Sequence, residues 1–221
     1  MRDIVLEHAP RDRSIRVLDL GCGTGSLIFR LANALPAAEL VGIDVSPANI
    51  TAAQRRNDAE FRSRLRLVVA DYLAFHDPPF DVIVSDGVLH LIAAPTSALI
   101  AKLAADLKPD GLLVCDMPYD CVYNRVFATV RRCLRTIRSP ITDAVILTAG
   151  RLLHSRQMDD DRLRERVQYM YVPPERMMDA PLVGACMAVG LRQTATHSNP
   201  STSPSQLRHN VTVWTKASTA V

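Results

Sequence analysis

Two aspartates and three glycines near the start of the chain have types and spacing that suit a ligand-binding loop. Gly21, Gly23 and Gly25 stand at alternate positions, so the chain can turn sharply there and bring bare backbone against a ligand. Asp19 precedes the first glycine by two residues, and a carboxylate at that place suits a ligand with a positively charged amino group. Asp44 ends the next apolar run, where an acid can accept hydrogen bonds from two ribose hydroxyls.

The surrounding pattern predicts the elements that position these residues. Residues 15–20 are an apolar run long enough for a buried strand, and residues 26–35 resume helical spacing with apolar side chains on one face. A second apolar run, 39–44, leads to Asp44. Strand, glycine turn, helix, strand and terminal acid are the front half of a nucleotide-binding α/β sheet, which binds ligands at the carboxyl ends of its strands.

The glycine spacing distinguishes between two kinds of nucleotide site. A dinucleotide fingerprint, Gly-x-Gly-x-x-Gly, needs a third glycine where this chain has Ser26. The run that ends at Gly25, Val-Leu-Asp-Leu-Gly-Cys-Gly-Thr-Gly, instead resembles the first motif of the class I S-adenosylmethionine-dependent methyltransferases almost letter for letter. With Asp44 in its expected place, the resemblance covers residues 15–117 strongly and 173–216 in outline.

The resemblance implies a role for each residue of a cofactor site for S-adenosylmethionine, with S-adenosylhomocysteine as product. Asp19 would hold the methionine amino group, the glycine backbone would wrap the methionine and ribose, and Asp44 would take the ribose hydroxyls. Asp71 would meet the adenine amine with Tyr72 beside the ring, although a capping acid after a strand is the alternative for Asp71. Val45 suits the adenine face or an ordinary core position equally. The implied cofactor-binding residues are Asp19, Gly21, Cys22, Gly23, Gly25, Asp44, Val45, Asp71, Tyr72 and Ser85.

The implied acceptor pocket begins at the tip of the fourth strand, where this family passes the methyl group. Ser85 and Asp86 would therefore lie near the sulfonium end of the cofactor. His90 could act as a general base, because imidazole titrates near neutral pH. A pocket wall is the alternative and the favoured one, since methyl transfer to a good nucleophile needs alignment more than acid–base help. The candidate acceptor-binding residues are Asp86, His90, Tyr119, Tyr123 and Tyr171.

Two segments have the letters of a motif found in amino-methylating DNA enzymes. Asp-Pro-Pro-Phe at 77–80 precedes the predicted fourth strand, whereas the motif belongs after it. Asp-Met-Pro-Tyr at 116–119 follows the fifth strand, one element too late. Position therefore indicates that both matches are coincidental.

Alternating strand and helix patterns predict an α/β fold: a Rossmann-like, doubly wound, mostly parallel seven-stranded sheet with a helical cap insertion. The predicted strands are 15–20, 39–44, 65–70, 81–86, 111–117, 191–197 and 211–216. Helices are predicted at 26–35, 47–57, 96–107 and 174–189, with a turn at 108–111. We expect one domain over 1–221, made of a cofactor-binding core at 15–118, a cap at 119–172 and a final helix and strands at 173–221.

The span 119–172 is too long for a plain connection, so it should have structure of its own. A helix at 124–138 carries five arginines and no acid, which indicates either a solvated face or a wall that recognises an anionic acceptor. An apolar piece at 144–153 and a charged piece at 159–168 follow. Many small-molecule methyltransferases close N-terminal helices over the cofactor, yet few residues precede the first strand here. The lid is therefore missing, replaced by the cap, or encoded upstream.

Composition excludes several classes of protein. A chain of 221 residues with 48% hydrophobic residues can bury a sizeable core. A net charge of +3, without interleaved basic and aromatic residues, argues against a nucleic-acid partner. Five cysteines without metal-ligand spacing predict reduced thiols, a cytoplasmic location and no metal site. We expect no signal peptide and no membrane-spanning segment, and the oligomeric state stays open.

The sequence thus predicts an enzyme that moves the sulfonium methyl group to an O, N or C nucleophile of a small molecule by in-line displacement. A nucleic-acid or protein methyltransferase on the same scaffold is one alternative. A non-catalytic cofactor-binding accessory protein is another, because an intact cofactor motif says nothing about the acceptor half.

Overall fold

A computed structural model of the protein describes residues 1–10, 13–57, 61–154, 170–199 and 206–218. These residues contain a seven-stranded sheet in the order β3-β2-β1-β4-β5-β7-β6. Its strands are β1 (Arg16–Leu20), β2 (Glu39–Asp44), β3 (Leu65–Val69), β4 (Phe80–Asp86), β5 (Leu107–Pro118), β6 (Leu191–Asn199) and β7 (His209–Lys216). The first five strands pair in parallel, and β7 is antiparallel to both β5 and β6. The predicted Rossmann-like, mostly parallel sheet is confirmed.

Helices cover both faces of this sheet. They are α1 (Arg2–His8), α2 (Ser26–Ala34), α3 (Pro47–Arg55), α4 (Thr96–Asp106), α5 (Val122–Thr136), α6 (Pro140–His154) and α7 (Ala180–Ala188), with a short 3₁₀ helix at Leu89–Leu91. One core layer packs α1, α2 and α3 on the sheet, and a second packs α4 and α7 on the opposite face, around the fully buried Trp214. Parallel strands buried on both faces explain why their sequences are nearly continuous apolar runs.

The start of α3 follows the predicted capping chemistry. The Ser46 hydroxyl accepts a hydrogen bond from the Asn49 amide at 3.3 Å, and Pro47 occupies the first turn. The helix predicted over 174–189 is shorter than expected and begins at Ala180. There the Asp179 carboxylate caps the Leu182 amide at 2.9 Å. The sequence offers a proline at 174 as a helix start, but the capping aspartate lies five residues later and is followed by a second proline, Pro181.

The predicted turn at 108–111 lies inside β5 as a bulge. Phe80 pairs with Leu107 and Val82 with Leu112, so extra residues of β5 loop out between the two pairs. Asp110 adopts a positive φ of 58°. A Cβ at Gly111 would lie 2.8 Å from the Lys108 carbonyl oxygen, which explains the glycine.

The segments that flank the core are helical where they are described. The predicted helix at 124–138 is α5, displaced by two residues, and the apolar piece at 144–153 lies within α6. The charged piece at 159–168 lies outside the described residues. No helix was expected in residues 1–10, which form α1 and bury Val5 in the core layer of α2.

Candidate functional site

The glycine loop between β1 and α2 has two glycines that packing requires and one that borders open space. Gly21, Gly23 and Gly25 all have positive φ, at 77°, 54° and 85°. A Cβ at Gly21 would lie 2.4 Å from a Val88 methyl carbon, and one at Gly25 would lie 2.5 Å from the Phe29 ring. A Cβ at Gly23 would meet nothing within 4 Å. Gly23 therefore faces space that a ligand can occupy.

The Asp44 carboxylate ties the end of β2 to this loop. Its Oδ2 accepts the Gly23 amide at 2.9 Å. Its Oδ1 accepts the Ser46 amide at 2.8 Å and the Asn49 side-chain amide at 3.2 Å. Val45 beside it is 69% exposed, so it is not a core valine. Asp44 thus stands at the mouth of the loop with an exposed apolar neighbour, an arrangement suited to a ribose and its base.

Asp19 provides a buried carboxylate at the base of the loop. The residue is 1% exposed, and its Oδ2 has no hydrogen-bond partner among the described residues. Burial, together with the nearby carboxylates of Asp86 and Asp44, raises the pKa of this carboxyl from 3.8 to about 7. An unpaired buried carboxyl is costly unless a ligand satisfies it, and a cationic ammonium group would do so.

Acidic side chains continue along the same edge of the sheet. Asp19 pairs in register with Val84, two residues before Asp86, and Asp86 pairs with Asp116 on β5. Because side chains alternate along a strand, the three carboxylates share the α1/α2 face at the carboxyl ends of the strands. Desolvation and the charge of Asp116 raise the pKa of Asp86 above its ordinary value.

Sequence reasoning missed the partners of Asp116. Its Oδ2 lies 3.0 Å from Nδ1 of His209 on β7, and its Oδ1 accepts the Asn199 side-chain amide of β6 at 3.2 Å. The segment 116–119, rejected as a DNA-enzyme motif, thus begins with a residue of the acidic edge. The only available sequence signal was a histidine at the start of the last strand.

His90 lies in the 3₁₀ helix after β4 and is 5% exposed. Its ring meets that of His209 edge to face, with the centroids 5.2 Å apart. Burial first, and then the neighbouring basic groups His209 and Arg131, lower the pKa of His90 to about 3. A neutral, weakly basic imidazole is better suited to form a wall of the pocket than to act as a general base.

Arg176 holds the segment that contains His90. The arginine is 8% exposed and donates hydrogen bonds to the carbonyl oxygens of Leu89, Ile92 and Ala94. Three neighbouring carbonyls on one guanidinium fix the path of the chain after β4. This positioning residue also escaped the sequence analysis.

The structure also describes the surroundings of the four remaining predicted cofactor residues, whose roles stay predictions. Asp71 is exposed and caps a turn through the Leu73 amide at 2.9 Å, which is the alternative considered for it. Tyr72 is 3% exposed in the α4 core layer, with the Lys102 ammonium 4.9 Å from its ring centroid. The remaining two, Cys22 and Ser85, are both buried, and the Ser85 hydroxyl has no partner among the described residues.

The three predicted acceptor tyrosines engage in packing around α5. Tyr119 bridges to Met178 through the backbone. Tyr123 stacks on Phe127 with the ring centroids 5.6 Å apart, and Tyr171 is 2% exposed. A role of these tyrosines in binding an acceptor stays a prediction.

Three of the five arginines predicted on this helix make contacts with neighbouring side chains. Arg125 pairs with Asp120, Arg131 is buried against Phe127, and Arg138 stacks 4.7 Å from the Tyr171 ring centroid. These contacts support a structural role rather than an anion-binding wall.

A cavity of about 350 Å³ adjoins the acidic edge. Its lining residues are Met1, Arg2, Asp3, Ile4, Arg30, Asp86, Ser198, Asn199 and Val211. Helix α1 supplies one wall and Asp86 another, so the cavity lies between an N-terminal helix and the tip of β4. An N-terminal helix, which the sequence did not lead us to expect, therefore forms part of the cavity wall.

A family profile described as "Methyltransferase domain" matches residues 11–156. The chain belongs to this family. Family membership makes S-adenosylmethionine the cofactor, as the glycine motif predicted. The buried unpaired Asp19 carboxyl and the open space beside Gly23 fit that group, because they offer an anion and room to a cationic, ribose-bearing ligand.

Several curated relatives of this methyltransferase-domain chain match about half of it. Trans-aconitate 2-methyltransferase of Methylobacterium nodulans is 32% identical over 115 residues, which are 52% of this chain and 42% of that protein. Ubiquinone biosynthesis O-methyltransferase of Azorhizobium caulinodans is 30% identical over 122 residues, 52% of this chain and 47% of that protein. The matches thus span less than half the length of these relatives.

Solved methyltransferases share the fold over nearly the whole chain. An S-adenosylmethionine-dependent methyltransferase of Methanosarcina mazei gives a TM-score of 0.66 at 16% identity, covering 98% of each chain. The N-methyltransferase NodS of Bradyrhizobium japonicum, in complex with S-adenosylhomocysteine, gives 0.60 at 18% identity, covering 97% of this chain and 85% of that one. Within the described ranges, no helix is long and apolar enough to cross a membrane. The same ranges hold no group of three or more metal-ligating side chains placed for a metal ion.

Proposed function

We propose that the protein transfers the methyl group of S-adenosylmethionine to a nucleophilic O, N or C atom of a small molecule. The observation that carries this proposal is the row of carboxylates at the carboxyl edge of the sheet. It runs from Asp19 beside the glycine loop to Asp86 in the wall of the cavity. A cofactor site and an enclosed acceptor site would then meet at the tip of β4.

The proposed cofactor residues act by binding and orientation. Asp19 would pair with the methionine ammonium group, Asp44 would accept the ribose hydroxyls, and the backbone of Gly21, Gly23 and Gly25 would line the ligand. Val45, exposed beside Asp44, would contact the adenine. The bound cofactor supplies an electrophilic methyl group on a sulfonium. The chain contributes alignment, which can supply roughly 7–11 kcal/mol of a barrier when two reactants are held in line.

The volume of the cavity and the acidic edge beside it favour an acceptor that is small and carries no negative charge. A volume of about 350 Å³ lies at the lower end of the range for small-molecule pockets. Asp86 and Asp116 would repel a carboxylate or phosphate at the reacting end. His90 is proposed as a wall of this pocket. Five free cysteines and the limited positive charge support a cytoplasmic protein without a nucleic-acid partner.

A product assay tests this proposal. Purified protein and S-adenosylmethionine labelled in the methyl group would be incubated with a panel of phenols, catechols and amines, and the label followed into each acceptor. We expect transfer to a member of the panel by the wild type and at least tenfold less by Gly23→Ala. Label in added RNA or protein, and in no small molecule, would contradict the proposal.

A further inference from the structure

The Asp116–His209 pair is a preorganised carboxylate–imidazole unit. Nδ1 of His209 lies 3.0 Å from Oδ2 of Asp116, and the two side chains are 18% and 9% exposed. Asn199 donates to the other carboxylate oxygen at 3.2 Å. A carboxylate only accepts hydrogen bonds, so the contact selects the tautomer of His209 with a proton on Nδ1. The lone pair then resides on Nε2.

The pair stands at the edge of the proposed acceptor site. Asp116 is the register partner of Asp86 on the neighbouring strand. Asp86 and Asn199 both line the cavity, and Asn199 pairs with His209 between β6 and β7. The imidazole therefore lies beside Asn199, one residue of the cavity wall, and is connected through Asp116 to a second, Asp86.

We propose that His209 is the general base for a hydroxyl acceptor and that Asp116 is its orienting carboxylate. This assignment rests on the proposed function and narrows its acceptor to a phenol, enol or alcohol. Nε2 of His209 takes the proton of the acceptor hydroxyl while the acceptor oxygen bonds to the methyl carbon. The methyl–sulfur bond breaks, and its electron pair stays on sulfur, which becomes a neutral thioether. The imidazolium then releases its proton to water.

Neighbouring charges favour this course. The groups that face His209 are Asp116 on β5, Asp86 on β4 and His90 in the 3₁₀ helix. Two carboxylates stabilise an imidazolium as it forms. His90 is less suited to the same task, because Arg131 and Arg176 disfavour a proton on its ring.

A purely structural role is the competing explanation. The pair joins β5 to β7, yet these strands are already joined by a continuous register from Leu112 to Pro118. A buried ion pair adds little stability where backbone pairing is complete, since its desolvation cost offsets its attraction. The strand interface therefore gives no reason for placing an imidazole there.

The tautomer can be measured without any acceptor. Long-range ¹H–¹⁵N spectra of ¹⁵N-histidine-labelled protein with S-adenosylhomocysteine at pH 7.5 would be assigned by the resonance lost in His209→Asn. We expect the Nδ1–H tautomer in the wild type and its loss or mixing in Asp116→Asn. An Nε2–H tautomer or an imidazolium in the wild type would overturn the assignment.

Turnover is tested with catechol, whose hydroxyls keep their protons at neutral pH, as acceptor and S-adenosylhomocysteine formation as readout. His209→Asn keeps a donor for Asp116 but has no base, so we expect kcat to fall at least about 100-fold. We expect its Kd for S-adenosylhomocysteine to stay within twofold of wild type. His76→Asn, at an exposed histidine, is the matched control and should behave as wild type. Turnover of His209→Asn within about fivefold of wild type would overturn the proposal.

The outcomes separate the two proposals. A folded wild type that fails to bind S-adenosylhomocysteine contradicts the proposed function rather than the base. If the wild type binds S-adenosylhomocysteine but does not methylate catechol, the tautomer measurement decides whether the His209 assignment stands.

Discussion

The Asp44 carboxylate accepts the backbone amide of Gly23 across 2.9 Å and so joins the tip of β2 to the middle of the glycine loop. The same carboxylate holds the Ser46 amide at 2.8 Å. One side chain therefore fixes both the loop and the start of α3. Asp44, the residue proposed to bind the ribose, therefore also holds the backbone that shapes the ribose site.

Asp44→Ala should make the glycine loop less rigid as well as remove the side chain proposed to bind the ribose. Loss of the acceptor leaves partly buried donors unsatisfied, and we expect about 1–3 kcal/mol less stability. Amide hydrogen exchange should quicken at Gly23 and Ser46. Asp44→Asn, which retains one acceptor oxygen, should show a smaller change. Unaltered exchange in Asp44→Ala would show that the loop holds its shape without the carboxylate.

Gly21→Ala and Gly23→Ala should separate packing from ligand binding. We expect Gly21→Ala to lose about 3 kcal/mol of stability, because left-handed strain adds to the clash with Val88. Gly23→Ala should lower the stability by about 1 kcal/mol. It should also weaken the binding of S-adenosylhomocysteine at least tenfold, because the added methyl group enters the open space. Denaturant unfolding and calorimetry measure both. Partial recovery of stability in Gly21→Ala with Val88→Ala would identify the clash.

Asp19 should link cofactor binding to pH. Its pKa is raised from 3.8 to about 7, so the folded state favours the protonated acid, and the contribution of Asp19 to stability is lost as pH rises from about 4 through 7. Asp19→Asn should therefore be more stable than wild type at pH 8, by up to about 4 kcal/mol.

Binding should show the opposite trend. The ammonium group of the cofactor needs the carboxylate, so wild-type affinity for S-adenosylmethionine should fall as pH drops from 8 to 6. Asp19→Asn should bind weakly with little dependence on pH over that range. Thermal melts and calorimetry at pH 6, 7 and 8 check both trends, and equal pH dependence in the two proteins would exclude Asp19 as the source.

Arg176→Met should disturb the segment after β4 and spare the cofactor half. Three carbonyl oxygens lose their donor, and we expect about 2–4 kcal/mol lower stability with faster amide exchange over 88–94. Affinity for S-adenosylhomocysteine should change less than threefold. Arg192→Met, at an exposed arginine, is the control. If Arg176→Met is as stable as Arg192→Met, the three hydrogen bonds do not position this segment.

The cofactor half was predictable because its signals are local. The apolar run of β1, the three glycines and the cap of α3 each lie within a few neighbouring residues, and Asp44 follows directly from the next strand. The roles that the resemblance implies for Asp71 and Tyr72 stay predictions, because their side-chain directions depend on a turn whose geometry no motif encodes.

The acceptor half depends on pairings that sequence patterns do not show. His209 and Asp116 are 93 residues apart, and Asn199 and Asp116 are 83 apart. They meet because β7 runs antiparallel between β5 and β6, and because β6 and β7 both extend beyond the predicted limits of 191–197 and 211–216. Asn199 and His209, which hold Asp116, both lie outside those limits.

Calorimetric titration of the wild type and Asp44→Ala with S-adenosylmethionine and S-adenosylhomocysteine tests the central claim most directly. We expect micromolar binding of both ligands by the wild type and at least tenfold weaker binding by the variant. A folded wild type that binds neither ligand would contradict the cofactor site, and with it the transfer of a methyl group.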